Sequence, residues 1–293
     1  MLRPVVRAFH HAGTGTWSYV VHDPASGAAA IIDPVLDFDA KSGRTGTGAA
    51  QALVAHVRAH GLDVQWLLET HAHADHLSAA YWLKSAHFPQ ARIGIGDGIR
   101  SVQRTFLPIF GLGGDADGTP FDHLFADDER FPLGGLEVRV IAVPGHTSDS
   151  NAYLAGDALF PGDSLFMPDS GTARCDFPGG DAATLYRSIL RLFELPGETR
   201  VFVCHDYGKP GIDGSEGREP GCETTIAAQQ RDNIHVRDGI DEATFVAMRS
   251  ARDASLAMPA LMLPAVQVNL RAGALPEPEA NGTRYLRIPL DRF

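Results

Sequence analysis

Apolar positions along the chain fall into two rhythms, short β-rich runs and longer stretches at helical spacing. Trp17–His22 and Ala28–Asp33 are β-rich and are separated by Asp23-Pro-Ala-Ser-Gly27, a turn sequence, so they read as a hairpin. Residues 37–48 are polar and glycine-rich and read as a loop. Residues 49–60 place Leu53, Val54 and Val57 on one face of a helix. An apolar strand at 64–70 follows, then a helix near 76–87, a short strand at 93–95, a helix over 98–106 and a loop from Gly111 to Pro120. The second half repeats the theme. Leu136–Val143 is a strand ending in Pro144-Gly-His-Thr147, and Asn151–Ala155 and Ala158–Pro161 flank the tight turn Gly156-Asp157. Asp181 caps a helix through Leu195 with Leu185, Ile189 and Leu192 on one face. Arg200–Cys204 is a strand ending in His205-Asp206, and helices cover 223–235 and 241–257. From Pro259 onward five prolines mark a tail expected to run over the surface.

Two β-rich halves, each with flanking helices, predict an αββα sandwich, an α/β fold, rather than a doubly wound sheet. One domain over 1–293 is expected, with its core at about 15–235, and with 236–293 as a C-terminal helix and tail packed on it. The chain of 293 residues is 44% hydrophobic and 21% charged, enough apolar content for a sizeable core. Its net charge of −11 argues against a nucleic-acid or anionic-membrane binder, since both need a basic face. Three cysteines, at 175, 204 and 222, form no Cys-x-x-Cys pair, so neither a disulfide framework nor a thiolate zinc site is predicted. Too little chain precedes the first strand-like run for a signal peptide, and no apolar stretch reaches ~18 residues. A cytoplasmic location is therefore expected.

The chemistry concentrates at His71-Ala-His73-Ala-Asp75-His76, which hangs off the end of the strand at 64–70. Three imidazoles and a carboxylate in six residues are ligands for divalent first-row metals. Three further strand ends present His146, Asp163 and His205. Seven such groups suffice for two metals, or for one metal with a polar surround. The remaining histidines read as surface residues. Gly43–Gly48 lacks the Gly-Lys-Ser/Thr ending of a phosphate loop, no Gly-x-Ser-x-Gly elbow occurs, and Cys175 beside Arg174 reads as incidental.

The run 71–76, then Pro-Gly-His146-Thr, then Gly-Asp163, then His205, resembles the metallo-β-lactamase superfamily in composition and order. Ile32-Asp33-Pro34-Val35, Glu69–His76, Arg174-Cys-Asp176-Phe177, His205-Asp206-Tyr207 and Glu223-Thr-Thr225 further resemble its persulfide dioxygenases, of the ethylmalonic encephalopathy protein type. The stretches 37–48 and 208–221 depart from the shorter members of that group and are similar to the longer bacterial ones. The resemblance implies one Fe(2+) per chain, held by His71, His146 and Asp163, and oxidation of glutathione persulfide with O2 and water to glutathione and sulfite. It implies substrate contacts from Arg174 and Tyr207, with Lys209 and Arg218 as nearby candidates, and a homodimer. His73, Asp75, His76 and His205 then either orient the ligands or hold a second metal. The second case is that of a dinuclear hydroxyacylglutathione hydrolase of glyoxalase II type, in which metal-bound hydroxide attacks a carbonyl. A non-catalytic metal-binding sensor or scaffold is a third reading, disfavoured because no ligand is missing.

Overall fold

The computed structural model describes residues 3–209 and 217–292. Strands β1 (Val5–His11), β2 (Thr16–His22) and β3 (Ala28–Ile32) form an antiparallel meander. After a small hairpin, β4 (Val35–Asp39) and β5 (Arg44–Gly46), helix α1 (Gly48–Ala59) leads to β6 (Asp63–Leu68), parallel to β3. Then come β7 (Leu77–Ser78), α2 (Ala80–Ala86), β8 (Arg92–Gly96), α3 (Ile99–Phe110) and β9 (His123–Phe125). The first sheet has the order β1-β2-β3-β6-β8-β9, and β5-β4-β7 form a separate small sheet.

The second sheet is built from β10 (Arg130–Leu133), β11 (Leu136–Ala142), β12 (Asn151–Ala155), β13 (Ala158–Phe160), β14 (Arg200–Phe202) and β15 (Glu223–Thr225), in that order. Helix α4 (Ala182–Phe193) connects β13 to the parallel β14. Helices α5 (Ile226–Asp232), α6 (Glu242–Asp253) and α7 (Met262–Asn269) follow.

Strand periodicity explains the layering. In β2, Tyr19 and Val21 face the second sheet, where Val138, Val140, Tyr153 and Phe160 meet them, while Val20 faces the helices. Leu53, Val54 and Val57 of α1 cover the outer face of the first sheet. Leu185, Ile189 and Leu192 of α4 cover that of the second and are fully buried, each worth about 1.5–3 kcal/mol of apolar transfer. The α4 cap is as expected, with Asp181 accepting from Thr184 N–H. The result is the αββα sandwich.

Several expectations are corrected. The stretch 37–48 holds the end of β4 and all of β5, because Asp37 accepts Gly48 N–H and closes the hairpin onto α1. The helices expected near 76–87 and 223–235 each begin as a strand, β7 and β15. His235 is buried and accepts Thr172 N–H. The tail does not simply run over the surface, since α7 is largely buried between α3 and the first sheet's helical layer. Residues 210–216 of the stretch 208–221 lie outside the described residues. Among the described residues, no helix is long and apolar enough to cross a membrane.

Candidate metal centre

Four strand ends from both sheets converge on one edge. His71 follows β6, His146 follows β11, Asp163 sits in a 3₁₀ turn after β13, and His205 follows β14. Gly162 permits the approach of that turn to β6. Its φ is +55°, and a Cβ there would lie 2.7 Å from Thr70 Oγ1. His71 Nε2 lies 3.9 Å and His146 Nε2 3.7 Å from Asp163 Oδ2, so three donor atoms face one small volume.

Both imidazoles are oriented from behind. His146 Nδ1–H donates to the Arg174 carbonyl at 2.6 Å, which leaves its Nε2 lone pair free. The Thr70 hydroxyl donates to Asp33 Oδ2 at 2.9 Å, so Thr70 Oγ1 accepts from His71 Nδ1–H at 3.0 Å. His71 Nε2 is then a buried lone pair with no hydrogen-bond partner. Burial, reinforced by the nearby His73, lowers the His71 pKa well below its ordinary value and keeps the ring neutral. A neutral imidazole with an orphaned nitrogen aimed at a carboxylate is what a divalent ion requires, so the residues fit a metal.

His205 is placed differently. Its Nδ1 lies 2.6 Å from Asp163 Oδ1 and its Nε2 2.6 Å from Asp75 Oδ2, with Thr16 Oγ1 at 3.1 Å. Burial alone would lower its pKa, but Asp163 and Asp75 outweigh burial and raise it well above the ordinary value. Burial would raise the Asp163 carboxyl, yet His205 foremost holds it well below the usual range. His73 forms a second candidate donor group with Asp75 and His76, their ligand atoms within 4.8 Å of one another. Burial would lower the His73 pKa, but Asp33, 3.0 Å from its Nε2, and Glu69 raise it to about 9. His76 Nδ1 lies 3.4 Å from Asp75 Oδ2. The Nδ1 of His73 and the Nε2 of His76 are buried without a partner.

The centre opens into a cavity of about 660 Å3. Phe166, Phe177, Ile234 and Leu256 give it an apolar side. Of the expected substrate contacts, Arg174, Tyr207 and Lys209 line it. Arg174 is already bidentate to Asp176 and donates to the Ala257 carbonyl, so it braces the wall. Lys209 pairs with Asp169, and Tyr207 is an exposed ring lying against Gly15. Arg218 is corrected: it is not on the wall, because Asp206 and Asp169 each grip its guanidinium through two oxygens.

Three residues escaped the sequence reading. Asp33, quoted there only as part of a family match, is buried at φ +49° and accepts from Thr70 N–H, the Thr70 hydroxyl and His73. Its signal was an Asp closing an apolar strand. Arg252 of α6 lines the cavity, and among the described residues none pairs with its guanidinium. Asn269 of α7 donates to the His73 and His76 carbonyls. Nothing local marked either of these two.

Fold and donor set define the class: the chain belongs to the metallo-beta-lactamase superfamily, matched over residues 12–205, and is a metal-dependent enzyme of that superfamily. A probable metallo-hydrolase of Burkholderia pseudomallei (strain 1710b) is 50% identical over 298 residues, 98% of this chain and 99% of that protein. A beta-lactamase hydrolase-like protein of Xylella fastidiosa (strain Temecula1) is 50% identical over 98% of this chain, which spans only 65% of that relative's length. The solved structure of ETHE1 from Myxococcus xanthus has a TM-score of 0.71 and 28% identity, covering 92% of this chain and all of that one. The ETHE1 likeness agrees with the type expected from the motifs.

Proposed function

We propose that this protein is a mononuclear non-haem Fe(II) dioxygenase that converts glutathione persulfide, O2 and water to glutathione, sulfite and two protons. The observation that carries the reading is the division of the seven metal-type side chains. His71, His146 and Asp163 offer two imidazoles and one carboxylate to a single position, while both nitrogens of His205 are taken by carboxylates at hydrogen-bond distance. Both imidazole nitrogens of His205 lie 2.6 Å from carboxylates, one of Asp163 and one of Asp75, which supports a single metal position at His71, His146 and Asp163. His71, His146 and Asp163 would hold ferrous iron, which would supply the redox chemistry toward O2 that redox-inert zinc would not.

The chain's own residues then hold and sort the substrate. Phe166, Phe177 and Leu256 exclude water from the approach to Asp163, and Arg252 and Lys209 give the cavity positive charge for the carboxylates of glutathione. His205 holds a proton against Asp163 Oδ1 and so directs Oδ2 toward His71 and His146.

Purified protein is expected to hold about one iron per chain and to consume O2 when glutathione persulfide is added. Two zincs per chain, with no O2 uptake after anaerobic iron loading, would refute the proposal. A dinuclear hydrolase is the second reading, favoured by the unpartnered nitrogens of His73 and His76 beside Asp75 and by the Burkholderia relative's name. Vigorous hydrolysis of S-lactoylglutathione by the protein as isolated would select it.

A further inference from the structure

The loop 71–76 carries the candidate ligand His71 but no regular backbone hydrogen bonding of its own. Buried backbone groups in such a loop need partners from elsewhere. One side chain supplies two of them and also holds the strand that follows. Asn269 Nδ2 donates to the His73 carbonyl at 2.7 Å and to the His76 carbonyl at 2.8 Å, and its Oδ1 accepts Ser78 N–H at 2.8 Å. Two donors and an acceptor on one short planar group are the property of a primary amide; Asp, Ser and Leu each lack part of it.

The helix that carries Asn269 is itself held in register. Met262, Val266 and Leu270 pack with Ala72 and the apolar face of α3, while Ala265 and Val268 pack with Leu77, Ala79 and Ala80. Gln103 donates to the Leu270 carbonyl. Gly273 passes so close to the loop that a Cβ there would lie 2.7 Å from the Ser78 carbonyl oxygen, and its φ of +83° favours glycine. From Ser78 the constraint continues, since its hydroxyl donates to Glu69 at the end of β6. The His71 and His73 rings lie 4.0 Å apart. Helix α7 and Gly273 lie beyond the superfamily match at 12–205.

We propose that Asn269 is a positioning residue of the metal centre: from the C-terminal helix it fixes the backbone of residues 73–78 and, through it, the direction in which His71 presents Nε2. The inference rests on the metal-centre reading above, though not on which reaction that centre performs.

The test uses cobalt(II) as probe on metal-free protein, with affinity measured by chelator competition and geometry by the visible spectrum of the bound ion. Asn269→Ala should weaken cobalt binding about 10- to 100-fold and alter the spectrum. Asn269→Ser, which keeps one donor, should fall between. Gln267→Ala is the control on the same helix. Its amide bonds the Leu263 and Arg287 carbonyls, away from the loop, so it should lower Tm and leave affinity and spectrum unchanged. Wild-type affinity and spectrum in folded Asn269→Ala would overturn the proposal. So would equal weakening in Gln267→Ala, or loss of the fold in both Asn269 variants. Failure of the wild type to bind cobalt would refute the metal centre itself. Binding that is lost in His71→Ala but kept in Asn269→Ala would refute only the role of Asn269.

Discussion

Replacing Asp33 with asparagine tests how the centre sets the protonation of its ligand. The change is nearly isosteric, and asparagine tolerates the left-handed backbone at φ +49°. In the wild type, Oδ1 of Asp33 accepts from Thr70 N–H at 2.7 Å and from His73 at 3.0 Å, while Oδ2 accepts the Thr70 hydroxyl at 2.9 Å. An amide cannot turn its NH2 toward the two donors at Oδ1, so the NH2 must replace Oδ2. It then donates to Thr70 Oγ1, and the hydroxyl hydrogen swings toward His71 Nδ1. The imidazole proton moves to Nε2, the atom that faces Asp163. Restoring the ligand tautomer costs roughly the one charge-assisted bond that set it, about 1.5–3 kcal/mol. At about 1.4 kcal/mol per tenfold, metal affinity should fall roughly 10- to 100-fold. Chelator competition under anaerobic conditions measures this with Fe(II) or Co(II). Affinity within about twofold of wild type would refute the tautomer argument. Adding Thr70→Val should make matters no worse, because Asp33 acts on His71 through that hydroxyl.

Other outcomes follow from the same geometry. Asp163→Ala should leave a folded protein by circular dichroism and abolish metal binding; normal metal content would remove Asp163 from the ligand set. Arg252→Glu should raise KM for an anionic thiol substrate about three- to tenfold with kcat little changed, since the residue is exposed and sits in the cavity wall away from the donor atoms. Metal-free protein should lose stability as pH rises from about 6.5 through about 9. The folded pKa of His73 is raised to about 9, so the His73–Asp33 pair contributes fully below the unfolded value and is lost above the folded one. A Tm that is flat or rising across that window would contradict it, and Asp33→Asn should flatten the fall.

Legibility of the sequence tracked the range of the interactions. The helix at α4 was readable because Asp181, Leu185, Ile189 and Leu192 lie within one segment, where spacing alone states which face is buried. In the tail, proline frequency points to the surface, where residues 277–285 lie, but it gives no sign that α7 is buried by contacts with α3 and with residues near position 77, nearly two hundred residues earlier. Arg174 is expected as a substrate contact by family resemblance and Arg218 by proximity in sequence. Their bonds to Asp176, and to Asp206 and Asp169, appear only once the chain is folded.

By itself the chain's order of residues determined the layer architecture, the superfamily and the group of seven metal-type side chains. Hydrophobic period and short motifs are local quantities, and backbone geometry converts them directly into strands, helices and strand-end loops. Only the tertiary structure shows what each of those side chains meets. A ring's tautomer and direction depend on what its second nitrogen meets, and those partners come from distant segments: Thr70 backed by Asp33 for His71, the Arg174 carbonyl for His146, and Asp75 with Asp163 for His205.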